Sequence, residues 1–267
     1  MSVQKNGSIP ITDQEDDKHQ HWLIRWLAHK PVIGHKHILL LFSEKGGSRS
    51  DVMKSLRQTV RDHYVDPNVV AKWIAELGAP QTAALLKEHM PTSKRARSAD
   101  VGEILAVEIT EQYLDYSVPI RRLRWKDSRE MALHGDDVVA FRKDENGLTF
   151  LKGEAKSRAS LTPAVVRQAS EALGQDDGRP NRHSVLFVAN RLREQGEDKV
   201  SRMFYKAVMN SFSGYGVEHL LFSFSGNSPE VILYNHLKEL KCEERRYAVG
   251  LQINDHGDFI RSIYEGL

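Results

Sequence analysis

Apolar residues recur at helical spacing between residues 50 and 89: Val52, Leu56 and Val60, then Val69, Trp73 and Leu77, then Ala83 and Leu86. Steps of three and four put each set on one face of a helix, and Pro67 and Pro80 mark the junctions, so the spacing predicts three helical segments. Ahead of them lie two apolar runs, 22–27 and 38–42. The second is a buried strand or a helix, which periodicity alone does not separate. From residue 100 the pattern changes. It predicts a helix over 100–114, a strand over 118–125, and two strands at 133–141 and 151–158 joined by a polar hairpin. A helix at 163–173 and a loop follow. The continuous apolar run 183–189 suits a strand buried on both faces. A helix over 196–212, strands at 218–225, 230–234 and 247–253, and a short strand or helix at 258–264 complete the chain. That order describes an α/β fold, with a central mixed sheet flanked by helices.

The pattern divides the chain into a polar stretch, 1–20, expected to be flexible, a mainly helical region, 21–92, and an α/β domain, 93–267. The basic loop around Lys94, Arg95 and Arg97 is taken as the boundary. At 267 residues there is ample chain for a substantial core.

The formal net charge is only +2, so contact with nucleic acid has to use local basic patches and not a global positive field. A single cysteine, Cys242, excludes an internal disulfide and a Cys-rich zinc site and suits a reducing, cytoplasmic setting. No apolar run reaches the ~18–20 residues that span a bilayer, and the polar start lacks the apolar core of a signal peptide, so no membrane partner is expected. Gly46-Gly47 lacks the following Lys-Ser/Thr of a phosphate-binding loop.

The residues that bear chemistry sit on the paired strands at 133–158. Side chains alternate along a strand, so Glu154 and Lys156 share a face while Ala155 points away. If the two strands pair, Asp137 comes near Glu154. Two carboxylates and an ammonium then converge where a divalent cation and a water can meet a phosphodiester. Mg²⁺ takes oxygen ligands, which Asp137, Glu154 and the backbone carbonyl of Ala155 can supply. Lys156 can orient or deprotonate the water or stabilise developing charge. Asp136 is the alternative ligand, since either acid precedes the apolar run. Glu103 is either a further metal ligand or the closing residue of an Asp100-x-x-Glu103 capping box. Gln168, on the following helix, can reach a phosphate or a water, or simply face solvent. Lys94, Arg95, Arg97 and Arg158 are candidate DNA contacts, and Arg121, Arg122 and Arg124 form a second cationic row.

The ordered set around Asp100 and Glu103, then His134-Gly135-Asp136-Asp137-Val138-Val139-Ala140-Phe141, then Gly153-Glu154-Ala155-Lys156-Ser157-Arg158, resembles the PD-(D/E)xK nuclease superfamily. More narrowly, over residues 90–267, it is similar to the HamA family of nuclease subunits from the Hachiman anti-phage defence system. The resemblance implies a restriction-endonuclease-like core, Mg²⁺-dependent DNA cleavage (with Mn²⁺ as a substitute), and a helicase partner, HamB. It assigns catalytic positions to Asp137, Glu154 and Lys156 and the helix acid to Glu103. Gly135 stands where the superfamily name has Pro, which leaves Asp136 and Asp137 both open. A catalytically silent nuclease fold serving as an adaptor or DNA-binding subunit is the alternative, and residues alone do not separate DNA from RNA as substrate.

Overall fold

The computed structural model describes residues 21–33, 36–131, 133–145 and 147–267, so the stretch 1–20 lies outside it. A short α1 (Trp22–Trp26) runs into the antiparallel pair β1 (Leu27–Ile33) and β2 (Ile38–Glu44). The helical periodicity downstream becomes α2 (Arg49–Tyr64), α3 (Pro67–Leu77) and α4 (Ala79–His89). Pro67 takes the first turn of α3, where its missing N–H costs nothing, and the Asp66 carboxylate caps that turn by accepting from Asn68 N at 2.9 Å. Then come α5 (Lys94–Tyr113), β3 (Val138–Asp144), β4 (Gly147–Arg158) and α6 (Pro163–Gly174). The chain finishes with α7 (Arg182–Glu194), α8 (Asp198–Met209), β5 (Gly216–Ser225), α9 (Glu230–Glu239), β6 (Arg245–Gln252) and α10 (His256–Glu265).

The expected α/β class with a mixed sheet is what the chain adopts. The strand order is β1-β2-β6-β5-β4-β3, antiparallel at both edges and parallel through β2, β6, β5 and β4. Because β2 pairs with β6, one sheet runs through both regions that the sequence pattern divides at residue 92. Successive strand residues feed opposite layers. Val138, Leu151, Leu220 and Phe222 enter the core beneath α2, α5 and α10, whereas Val139 and Phe150 pack against α7 and α8. Leu221 and Ala248 pack with Val166 and Leu173 of α6 and with Leu233 of α9. No helix among the described residues is long and apolar enough to cross a membrane.

Four expected elements differ from those observed. The basic stretch 94–97 is the first turn of α5, capped by Ser93, whose Oγ accepts from Ala96 N at 3.2 Å. Asp100 and Glu103 therefore lie inside the helix, and the capping box is ruled out. Residues 118–125 follow a single bridge, Ser117 to Phe141, and close in a 3₁₀ turn (Arg122–Trp125) in place of a strand. The run 183–189 is helical: the Asn181 side chain caps α7 by accepting from His183 N (3.0 Å) and Ser184 N (3.3 Å), and Val185, Val188, Ala189 and Leu192 form the buried stripe. Residues 230–234 open α9, with Leu233 as its buried anchor.

Two glycines fix how closely these layers approach. A Cβ at Gly102 of α5 would lie 2.9 Å from Ser157 Cβ on β4, and one at Gly153 would lie 2.7 Å from Val138 Cβ on β3. Neither contact is compatible with an ordinary side chain. Gly102→Val is therefore expected to force α5 from the sheet and cost roughly 1–3 kcal/mol, as overpacked core substitutions do. Thermal unfolding measures it. Gly257→Ala, where a Cβ meets open space, serves as the control and should lose nothing.

Candidate active site

The register of the edge hairpin sets the site. Val138 pairs with Gly153, so Asp137, one residue before β3, comes alongside Glu154. The Asp137 carboxylate accepts the Ala155 N–H at 2.8 Å, which locks the acid to the strand carrying its partners. The Lys156 ammonium is ion-paired with Glu154, both side chains being largely shielded from solvent. From the adjacent layer α5 presents Glu103, held against β4 by the close approach at Gly102. Glu103, Asp137, Glu154, Ala155 and Lys156 line one cleft of about 460 Å³.

The electrostatics are those of an acid cluster short of positive charge. Burial, together with the neighbouring Asp137, pushes the Glu103 carboxyl up to about 8 and the Glu154 carboxyl up to about 7. Burial also raises Asp137, against the lowering effect of the Ala155 N–H. Two buried cations temper this. Arg122 donates from Nη2 to the His134 carbonyl at 3.0 Å, while its Nη1 has no hydrogen-bond partner among the described residues. Its charge opposes the rise at Glu103 and Asp137. Lys126 donates to Asp100 at 2.8 Å and lines the same cleft. The sequence pattern puts Arg122 in a cationic row on a strand and gives no signal at Lys126. A short 3₁₀ turn that follows Arg121 and carries Arg122 and Arg124 gives no periodic sign that the middle of this basic row turns inward.

The two adjacent acids part company. Asp136 is buried on the other side, where Oδ2 accepts from Asn181 N at 2.6 Å, its own N–H donates to Ser184 Oγ at 3.0 Å, and Lys152 lies 3.8 Å away. Its carboxyl is raised to about 6, chiefly by burial. Asp136 thus ties the hairpin to the start of α7, and Asp137 alone of the pair lines the cleft. Gln168 sits on the exposed face of α6 and does not line it. Arg95 and Arg158 line the cleft rim and also, with Lys94 and Arg97, a neighbouring cavity. The second cationic row is used internally: Arg121 pairs with Glu111 at 2.5 Å and Arg124 with Asp66 at 2.6 Å.

The donors at the cleft are carboxylate and carbonyl oxygens, a hard-ligand set that suits Mg²⁺ or Mn²⁺ better than zinc. Among the described residues, the one trio of His, Cys, Asp or Glu with ligand atoms within 4.8 Å of one another is elsewhere: His219, Cys242 and Glu244. There both His219 nitrogens are engaged, with the Gly178 carbonyl (2.7 Å) and Arg246 (3.0 Å), and the guanidinium already supplies the positive charge. The cleft acids are not drawn together as tightly as this trio.

With this geometry established, the comparisons place the chain. The model of the HamA family matches residues 19–267. The chain therefore belongs to the HamA family, and so to the Hachiman defence proteins. No curated protein matches the sequence.

The raised carboxyls make a linkage prediction. A glutamate with an ordinary value of 4.5 that sits near 8 when folded binds more protons in the native state across that interval, so stability falls as pH rises through it. Glu103→Gln removes the ionisation without unpairing Lys156. In metal-free buffer its melting temperature should decline less between pH 5 and pH 8 than that of the wild type, as followed by thermal unfolding. An equal decline would mean that Glu103 is ionised at no cost.

Proposed function

We propose that this HamA-family chain is a Mg²⁺-dependent deoxyribonuclease, the phosphodiester-cleaving effector of its defence system, working with the helicase HamB. The observation that carries the reading is the convergence of Asp137, Glu154, Lys156 and Glu103 on one cleft, from three elements whose spacing depends on two glycines. Three carboxyls whose ionisation burial opposes share one cleft, which favours a binding role over a structural one.

In this reading Asp137, Glu154 and the Ala155 carbonyl hold the cation, with Glu103 completing the site. When bound, Mg²⁺ neutralises charge on the phosphoryl oxygens and lowers the pKa of water. The remaining work falls to the chain. Asp137 is oriented by the Ala155 N–H, so its second oxygen is free to face the cleft. Lys156 exchanges its contact with Glu154 for the attacking water, holds that water in line with the phosphorus, and stabilises the charge that builds up there. Lys126, anchored by Asp100, adds a second fixed ammonium along the cleft wall.

Plasmid cleavage in Mg²⁺ or Mn²⁺, with the chain alone and with HamB, tests the proposal. Lys156→Ala and Asp137→Asn should each lower the rate by about 10²-fold or more, the usual weight of a positioned proton-transfer or ligand group. Asp136→Ala should behave differently. It strips a buried acceptor from Asn181 N and lowers stability by roughly 1–3 kcal/mol, yet the folded fraction should still cut. DNA left intact under every salt and metal condition, or a Lys156→Ala chain as active as wild type, would point instead to a silent adaptor.

A calorimetric titration of Mn²⁺ into the metal-free protein reads the site without DNA. Binding is expected for the wild type and should be lost in Glu154→Ala. Because the cation competes with protons on raised carboxyls, affinity should increase from pH 6 to pH 8. A flat profile would place the cation elsewhere.

A further inference from the structure

Beside the acid cleft lies a second cavity, of about 620 Å³. Its walls come from the start of α5 (Lys94, Arg95, Ser98), the end of β4 (Arg158) and the start of α10 (His256, Gly257). Arg95, Ser157 and Arg158 border both spaces, so whatever lies in the cleft can continue over this ridge into the cavity.

The charge here is uncommitted. The acids on the far wall, Asp258 and Glu265, are taken up by Arg261 at 2.9 and 3.6 Å. Lys94, Arg95 and Arg158 make no ion pair among the described residues, and Arg158 is steered only by the Ser157 carbonyl at 2.8 Å. Beneath them runs a row of polar side chains: Ser98 Oγ meets Ser157 Oγ at 2.8 Å, and Ser157 Oγ meets His256 Nε2 at 3.0 Å. The His256 ring is buried and packed against Phe224, 4.4 Å between centroids. The row is thus anchored at its inner end, while the half-buried Ser98 hydroxyl is its outer end. Three free cations and an anchored hydroxyl are a phosphate-binding set. The large aromatic side chains on which bases stack are missing from this lining.

We propose that this cavity is a subsite for single-stranded DNA, holding the backbone of the nucleotide next to the scissile phosphate and reading no sequence. The assignment rests on the nuclease reading of the cleft and specifies its substrate. The volume falls within the range of pockets that take one small ligand, roughly 300–1000 Å³. A separated strand can bend into it, whereas a duplex, with its bases stacked between two backbones, cannot. The strand enters over Arg95 and Arg158 and is held by Lys94 and Ser98.

The test is binding of a fluorescent 12-nucleotide single strand to the full chain in EDTA, measured by anisotropy. No cleavage is needed, so a failed nuclease assay and a failed subsite are separate results. The wild type should prefer the single strand to the matching duplex. Gly257→Trp, which aims a side chain into open space at the cavity wall, should weaken binding at least tenfold. Lys94→Ala, an exposed position with little bearing on folding, should weaken it a few-fold and make the dependence of log K on log[salt] shallower by about 0.7, the value of one phosphate contact on a single strand. Wild-type affinity in both variants would overturn the proposal. So would duplex or RNA binding as tight as the single strand, or equal binding of a deoxynucleoside monophosphate alone.

Discussion

The hydrogen-bonded register between β3 and β4 is the constraint from which the rest of the site follows. Val138 faces Gly153 at a distance that leaves no room for a second Cβ. A shift of one residue would drive a side chain into that contact and turn Asp137 to the opposite face. The same strand then receives α5 through Gly102, which brings a third carboxylate to the pair. Backbone spacing, set by two missing side chains, thereby brings ionisable groups together in a place where burial opposes their charge.

Neighbouring acids are used in opposite ways on the two sides of this hairpin. The Asp136 carboxylate accepts from Asn181 N, its amide donates to Ser184 Oγ and Lys152 lies beyond, the arrangement of a buried acid that holds structure together. Asp137 has one oxygen fixed by the Ala155 amide and shares the cleft with acids whose protonation burial favours. Arg122 stands behind them as a buried counter-charge with a donor to spare. Two consecutive acids thus face opposite sides, one held in the interior and one lining the cleft.

How much of this the sequence revealed depended on the kind of signal. That one acid of the pair 136–137 meets Glu154 and Lys156 was legible because period-two alternation and a polar hairpin specify both faces and pairing. The α/β class and the three helices of 50–89 were legible for similar reasons. The run 183–189 was not, because five consecutive apolar residues satisfy a buried strand and a helix equally. The deciding signal was Asn181, a good helix cap that sits outside the run. Residues 94–97 looked like a loop because they are charged, yet Lys, Arg and Ala all favour helix. The inward turn of Arg122 and the internal pairing of Arg121 and Arg124 carry no local pattern, since their partners lie far away in the sequence. The choice between Asp136 and Asp137 depended on a helix start some 45 residues downstream, beyond any reading of the motif itself.

The strand order has a consequence for synthesis. β1 and β2 are made before the other strands of the sheet, but among the described residues the neighbour that joins them to the rest is β6, which begins at Arg245. The hairpin bearing the acids likewise waits for β5, which begins at Gly216. A chain ending prematurely anywhere before residue 245 leaves its first two strands stranded from the others, with exposed apolar faces of the kind that chaperones and proteases act on. Assembly of the sheet is therefore delayed until β6 has been made.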